Sequence, residues 1–296
     1  MPHSILLIDD HPSYCDQLKE EALKHNLLIS AFHNLEEGIN FLVSNRKIKA
    51  VILDGRCLLY KKQADAPKSN FVFHAIQDIE EIQDLKKREI PYCVCSETPE
   101  DFSEDLEGIA PIFDKNKPPD EMFEYLIARI KILPELIVRE RYPTIFSFAD
   151  ANFNEKDIEI LENTSINIES SSQGIIISNL TSIRRLEESF FDLMCVNYLG
   201  KAPESFVSGK SNRTKNIYFY FYRQDLLPKF LLNFAELIYK ISSKYGNHAD
   251  LQQTEKYYPE RFSASSLLNM LFALYEWGNL LLESLSQLKT KDEKKQ

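Results

Sequence analysis

Asp9, Asp10, Asp54, Ser96 and Lys115 are the residues of this chain whose types, once assembled, would handle a phosphoryl group. Three carboxylates in one place repel each other and stay ionised together only beside a cation. Hard oxygen donors at so few protein positions suit Mg2+. A serine hydroxyl donates a hydrogen bond to an anionic oxygen, and a lysine ammonium neutralises its charge. With metal, hydroxyl and ammonium in place, one carboxylate is free to attack phosphorus. Residues so scattered along the sequence can do this only if the fold brings them to a single edge.

The pattern around them supplies such an edge. Short, nearly continuous apolar runs at residues 5–8, 27–32, 50–53, 92–95 and 110–113 have the length of buried strands. Between them, residues 14–24, 35–43, 76–85, 98–106 and 119–136 carry apolar positions at helical spacing. Strands alternating with helices predict an α/β domain over residues 1–137, a five-stranded parallel doubly wound (βα)5 sheet covered on both faces. Asp9 and Asp10 follow the first run, Asp54 the third, Ser96 the fourth and Lys115 the fifth. Strand ends on one side of a parallel sheet converge, so all five residues are expected in one pocket.

In this order the residues resemble the receiver domains of two-component response regulators. The resemblance covers residues 2–132 and is carried by ILLIDDHP, VILD, the CVCS strand end and IFDKNKPPDEMFEYL. It implies Asp54 as phosphoacceptor and Asp9 and Asp10 as acidic Mg2+ ligands, with help from Asp54 and the backbone carbonyl of Arg56. It implies Ser96 as the switch hydroxyl and Lys115 as the phosphate-binding lysine, with Lys117 the rival for that role. The partner it implies is a histidine kinase or phosphotransfer protein, and the chemistry is at most self-phosphotransfer and autodephosphorylation at Asp54. Leu58, Glu97 and Ile112 depart from the family pattern, where a proline, a small residue and an aromatic are usual.

The rest of the chain reads differently. At 296 residues about two domains are expected, and residues 138–290 read as a helix-rich output or interaction domain of no recognised family. Helices are expected over 180–199 and 226–241 and from residue 263, a strand over the aromatic run 217–222, and a disordered tail over 291–296. The last helix repeats Leu267, Leu271, Leu274, Gly278, Leu281, Leu285 and Leu288 like a heptad seam. A homodimer through the carboxyl-terminal helices is therefore expected, with Gly278 permitting close approach at the crossing.

Composition narrows the partners. The net charge is −10, divided as −8 over residues 1–144 and −2 over the remainder, which argues against nucleic acid. Lys201, Lys210, Arg213, Lys215 and Arg223 form a local basic group read as solvated loop. No secretory signal is read at the start, and residues 267–282, interrupted by Asn269, Glu276 and Asn279, are read as a buried helix rather than a membrane span. Five irregularly spaced cysteines, among them Cys57, Cys93 and Cys95, fit packing in a reducing, cytoplasmic setting. The Ser208-Gly209-Lys210-Ser211 stretch lacks the upstream glycine of a phosphate-binding loop. Two outputs from different classes remain open: signalling through a protein-interaction domain, or a phosphate sink or kinase-docking adaptor with a degenerate receiver. A transcription regulator with an atypical output domain is the weaker third.

Overall fold

The computed structural model describes residues 2–61, 70–207, 212–246 and 260–293. The chain divides into two compact units, Met1–Leu133 and Pro134–Gln296. The first is α/β. It holds β1 (His3–Ile8), α1 (Pro12–Lys24), β2 (Leu27–Phe32), α2 (Leu35–Ser44) and β3 (Ile48–Asp54). These are followed by α3 (Phe71–Lys86), β4 (Tyr92–Ser96), β5 (Ile112–Asp114) and α4 (Asp120–Lys131). All strand pairings are parallel, in the order β2-β1-β3-β4-β5. The order reverses between β1 and β3, the place in an open parallel sheet where loops diverge and leave a crevice.

Successive strand side chains face opposite ways, and the burial follows this alternation. Leu6, Ile8, Val51, Leu53 and Val94 join Leu35 and Leu42 of α2 and Phe71, Val72, Ile76 and Ile79 of α3 in one core. Ile5, Leu7, Ala50, Ile52 and Cys93 are fully buried too, yet lie outside that cluster. They face the other way, the side from which α4 packs on β3 and β4. Local chemistry places the helices. Pro12 opens α1, and Asn34 caps α2 by accepting from the Glu37 N–H while its amide donates to the Glu37 carboxylate. Gly38 allows α2 to lie against the sheet, because a Cβ there would fall 2.6 Å from Ile8 Cδ1.

One expected helix is not formed. Residues 98–106 make only a 3-10 turn at Pro99–Asp101 followed by turns. Glu100–Glu104 and Asp101–Asp105 would place like charges one helical turn apart. Only Phe102 and Leu106 of the stretch are buried, and Asp101 is drawn instead to Thr98 and Arg56. The expected helix over 119–136 also ends early, at Lys131, because Pro134 cannot continue it and opens the next one.

The second unit is built of helices joined by turns, with no strand among its described residues. It contains α5 (Pro134–Arg141), α6 (Pro143–Asn152), α7 (Glu155–Ile166), α8 (Gln173–Asn197), α9 (Arg213–Arg223), α10 (Lys229–Gly246) and α11 (Arg261–Glu293). The aromatic run expected as a strand is α9. Its buried residues, Thr214, Ile217, Tyr218 and Phe221, recur at helical spacing, and Asn212 caps it by accepting from the Lys215 N–H. No strand of this unit is present among the described residues to pair with it. Phe148, Phe190, Tyr275 and Trp277 form a ring cluster at the centre of the core. Leu267, Leu271, Leu274 and Gly278 of the seam are buried, whereas Leu281 and Leu285 are half-buried and Leu280 is exposed. Lys210 and the 208–211 stretch lie outside the described residues, as do residues 294–296 of the expected disordered tail, whereas residues 291–293 continue α11 instead.

Candidate functional site

The site lies where β1, β3, β4 and β5 end. Asp9, the first residue past β1, is anchored by its N–H to the Phe32 carbonyl at 2.9 Å, and its own carbonyl lies 2.9 Å from His33 Nδ1. Asp54 closes β3 and Ser96 closes β4. Lys115 follows β5 and is held to β4 by its N–H, which donates to the Ser96 carbonyl at 2.9 Å. The residues thus converge because each ends a strand of one parallel sheet.

Asp9, Asp54 and Ser96 are buried and Asp10 is half-buried. Asp9, Asp10 and Asp54 each offer a carboxylate oxygen, and these oxygens lie within 4.8 Å of one another, a cluster able to hold a metal ion. The Lys115 ammonium bridges two of them, 2.6 Å from Asp9 Oδ2 and 2.8 Å from Asp54 Oδ1. The other Asp9 oxygen accepts from the His11 N–H at 2.8 Å. Asp10 Oδ1 is buried and has no hydrogen-bond partner among the described residues. A buried carboxylate oxygen without a donor is costly, and a hard cation would satisfy it. Lys117 is exposed, so Lys115 is the lysine at the carboxylates.

The electrostatics follow from burial. Burial, and after it the Asp9 carboxylate, push the Asp54 pKa up to about 6, although Lys115 pulls the other way. For Lys115 burial works against the charged form, but Asp54 and Asp9 outweigh it and the net shift is upward. The lysine therefore stays charged while Asp54 is poised to exchange its proton near neutrality.

Further contacts organise the loops. The Arg56 N–H reaches Asp54 Oδ1 at 3.4 Å, and the exposed Arg56 guanidinium pairs with Asp101 at 2.6 Å. Thr98 donates its N–H to Ser96 Oγ at 3.1 Å and its hydroxyl to Asp101 at 2.8 Å. Gly55 must remain bare, since a Cβ there would sit 2.6 Å from Ser96 Oγ and 2.9 Å from Phe102. Glu97 is exposed, and its carbonyl accepts from the Asn116 amide at 3.3 Å.

Sequence reasoning missed Tyr14, Gly55, Thr98 and Asp101. A glycine directly after Asp54 and a tyrosine one turn beyond the aspartate pair were the available signals. The five cysteines are free and buried; burial, ahead of other causes, raises the pKa of Cys57 and of Cys95, the latter to about 11. Such thiols are packing groups rather than nucleophiles at neutral pH. No helix among the described residues is long and apolar enough to cross a membrane. No protein-family model matches the chain, and no curated protein is detectably similar to it in sequence.

Proposed function

We propose that this protein is a two-component response regulator whose receiver domain accepts a phosphoryl group on Asp54 with Mg2+. The observation that carries the reading is the cluster in which three carboxylates from two strand ends meet one bridging lysine, with a buried Asp10 oxygen that has no hydrogen-bond partner among the described residues. Asp9, Asp10 and Asp54 would hold the ion, joined in this family by the carbonyl of the residue at Arg56. When bound, Mg2+ supplies positive charge to phosphoryl oxygens and lowers the repulsion met by the attacking carboxylate.

The chain's own groups do the remainder. Asp54 attacks phosphorus, the donor's phosphorus–nitrogen bond breaks and the partner imidazole leaves, so that an acyl phosphate replaces a phosphohistidine. Lys115, already fixed beside Asp54, neutralises one transferred oxygen. Ser96 Oγ, whose present partner is the Thr98 N–H, donates to another. Replacing Asp54 with Asn keeps size and removes the nucleophile. With Mg2+ and a small phosphodonor, labelling of the protein is expected to disappear in Asp54→Asn. Label surviving that change would sink the assignment.

The helical unit is proposed as a protein-interaction output in the cytoplasm, assembling with a second copy through the carboxyl-terminal helices. Leu280 is 66% exposed, with Leu281, Leu282 and Leu285 half-buried beside it on α11. A phosphate sink or docking adaptor would need turnover only. Solution mass across concentration, with and without a phosphoryl mimic, is expected to rise above one chain. A monomer in every condition favours the sink.

A further inference from the structure

Tyr14 lies on α1 beside the acidic cluster, and neither metal binding nor phosphoryl transfer has yet required it. Lys115 Nζ stands 4.7 Å from the centroid of its ring. Its hydroxyl is 3.1 Å from Cys95 Sγ, the residue before Ser96 on β4. Burial, with Cys95 and then the two acidic groups adding to it, holds that hydroxyl protonated far above the usual range. Tyr14 is therefore a neutral aromatic face beneath a buried ammonium, an arrangement in which a cation is attracted to the ring. The ammonium's remaining partners are the Asp9 and Asp54 carboxylates, the groups that must change partners when a metal and a phosphoryl group arrive.

The same residue has a second exposure. It lines a cavity of about 430 Å³ whose other walls include Pro99, Ile112, Phe113 and Met122. This cavity adjoins the segment where the expected helix over 98–106 is reduced to a short turn. A shift of the Tyr14 ring would alter a wall of that cavity.

We propose that Tyr14 is a positioning residue for Lys115, and that it carries the state of Asp54 to the cavity between the Pro99–Asp101 turn, β5 and α4. The ring fixes a long, flexible side chain with a contact that the reaction does not consume. When the ammonium moves from Asp54 towards a phosphoryl oxygen, the ring loses that cation and adjusts. This rests on the phosphoacceptor reading above.

The test uses full-length protein with Mg2+ and acetyl phosphate, in wild type, Tyr14→Leu and Tyr14→Phe. Tyr14→Leu is expected to label about tenfold more slowly, the size of a desolvated cation–π contact. Tyr14→Phe, which keeps the ring face, is expected to recover most of that loss. A second measurement does not depend on the folding of Tyr14→Leu. With 3-fluorotyrosine incorporated, the fluorine resonance absent from Tyr14→Phe is assigned to Tyr14. It is expected to move when Mg2+ and beryllofluoride are added to wild type and to stay put in Asp54→Asn. Labelling as fast in Tyr14→Leu as in wild type, or a Tyr14 resonance that ignores beryllofluoride while Asp54 is being labelled, overturns the positioning role alone. A wild type that takes no phosphoryl group overturns the acceptor reading and this role with it.

Discussion

Without metal, Asp54→Asn is expected to make the protein more stable at pH 7, by at most roughly 3 kcal/mol. Burial and then Asp9 lift the Asp54 pKa from 3.8 to about 6 despite Lys115, so the folded form holds that proton more tightly than the unfolded chain. The stability contributed by this group is full below the ordinary carboxylate value. It declines as pH rises and is lost once pH has passed through about 6. Asn keeps the shape, can still accept from Lys115 and carries no charge into the site, so it avoids that loss. At pH 4 the two proteins should converge. Urea unfolding in EDTA at both pH values measures the difference. A variant less stable than wild type at pH 7 would show that the Lys115 ion pair outweighs burial and the Asp9 repulsion together. Mg2+ should reverse the order, because a ligand stabilises whichever folded form binds it and the variant lacks one of three carboxylates.

The same balance shows why the site was legible in the sequence. A parallel sheet needs near-continuous apolar runs, and polar residues at the ends of those runs stand out even where the structure buries them. Asp9, Asp54, Ser96 and Lys115 therefore mark their own positions. Tyr14 carries no such mark, since a tyrosine at helical spacing on α1 reads as core, and its relation to Lys115 arises only once the fold brings its side chain to Cys95 and Lys115. The missing helix at 98–106 shows the limit of periodicity. Phe102 and Leu106 have the right spacing, but the acidic residues between and around them repel at that same spacing, and Asp101 has better partners in Thr98 and Arg56. At 217–222 the scale of the pattern decides. Aromatic density suggests a strand, whereas Thr214, Ile217, Tyr218 and Phe221 taken together show a helical face. In the second unit, charged residues with no strand end to mark them serve the packing of helices. Arg184, for example, pairs with Glu187 and Glu188 and stacks 3.9 Å over Tyr239.

Gly278→Ala is expected to cost the helical unit about 2 kcal/mol, although alanine is the better helix former by about 1 kcal/mol. A Cβ at this position would lie 2.6 Å from Phe190 Cε2, 2.8 Å from its Cζ and 3.2 Å from Met194 Sδ. Phe190 has no room to yield. It is fully buried and its ring meets Phe148, Phe191, Tyr275 and Trp277. The neighbour that requires the glycine is thus α8 of the same chain, and the close approach at this point of the seam is intramolecular. Trimming the obstacle should relieve the strain. Phe190→Leu alone loses packing, but Gly278→Ala combined with Phe190→Leu should lose at least about 1 kcal/mol less than the two single changes added together. Denaturant unfolding of the four proteins measures that coupling. Strict additivity would place the glycine's constraint elsewhere, and a Gly278→Ala protein that unfolds like wild type while changing its mass in solution would return the residue to an interface between two chains.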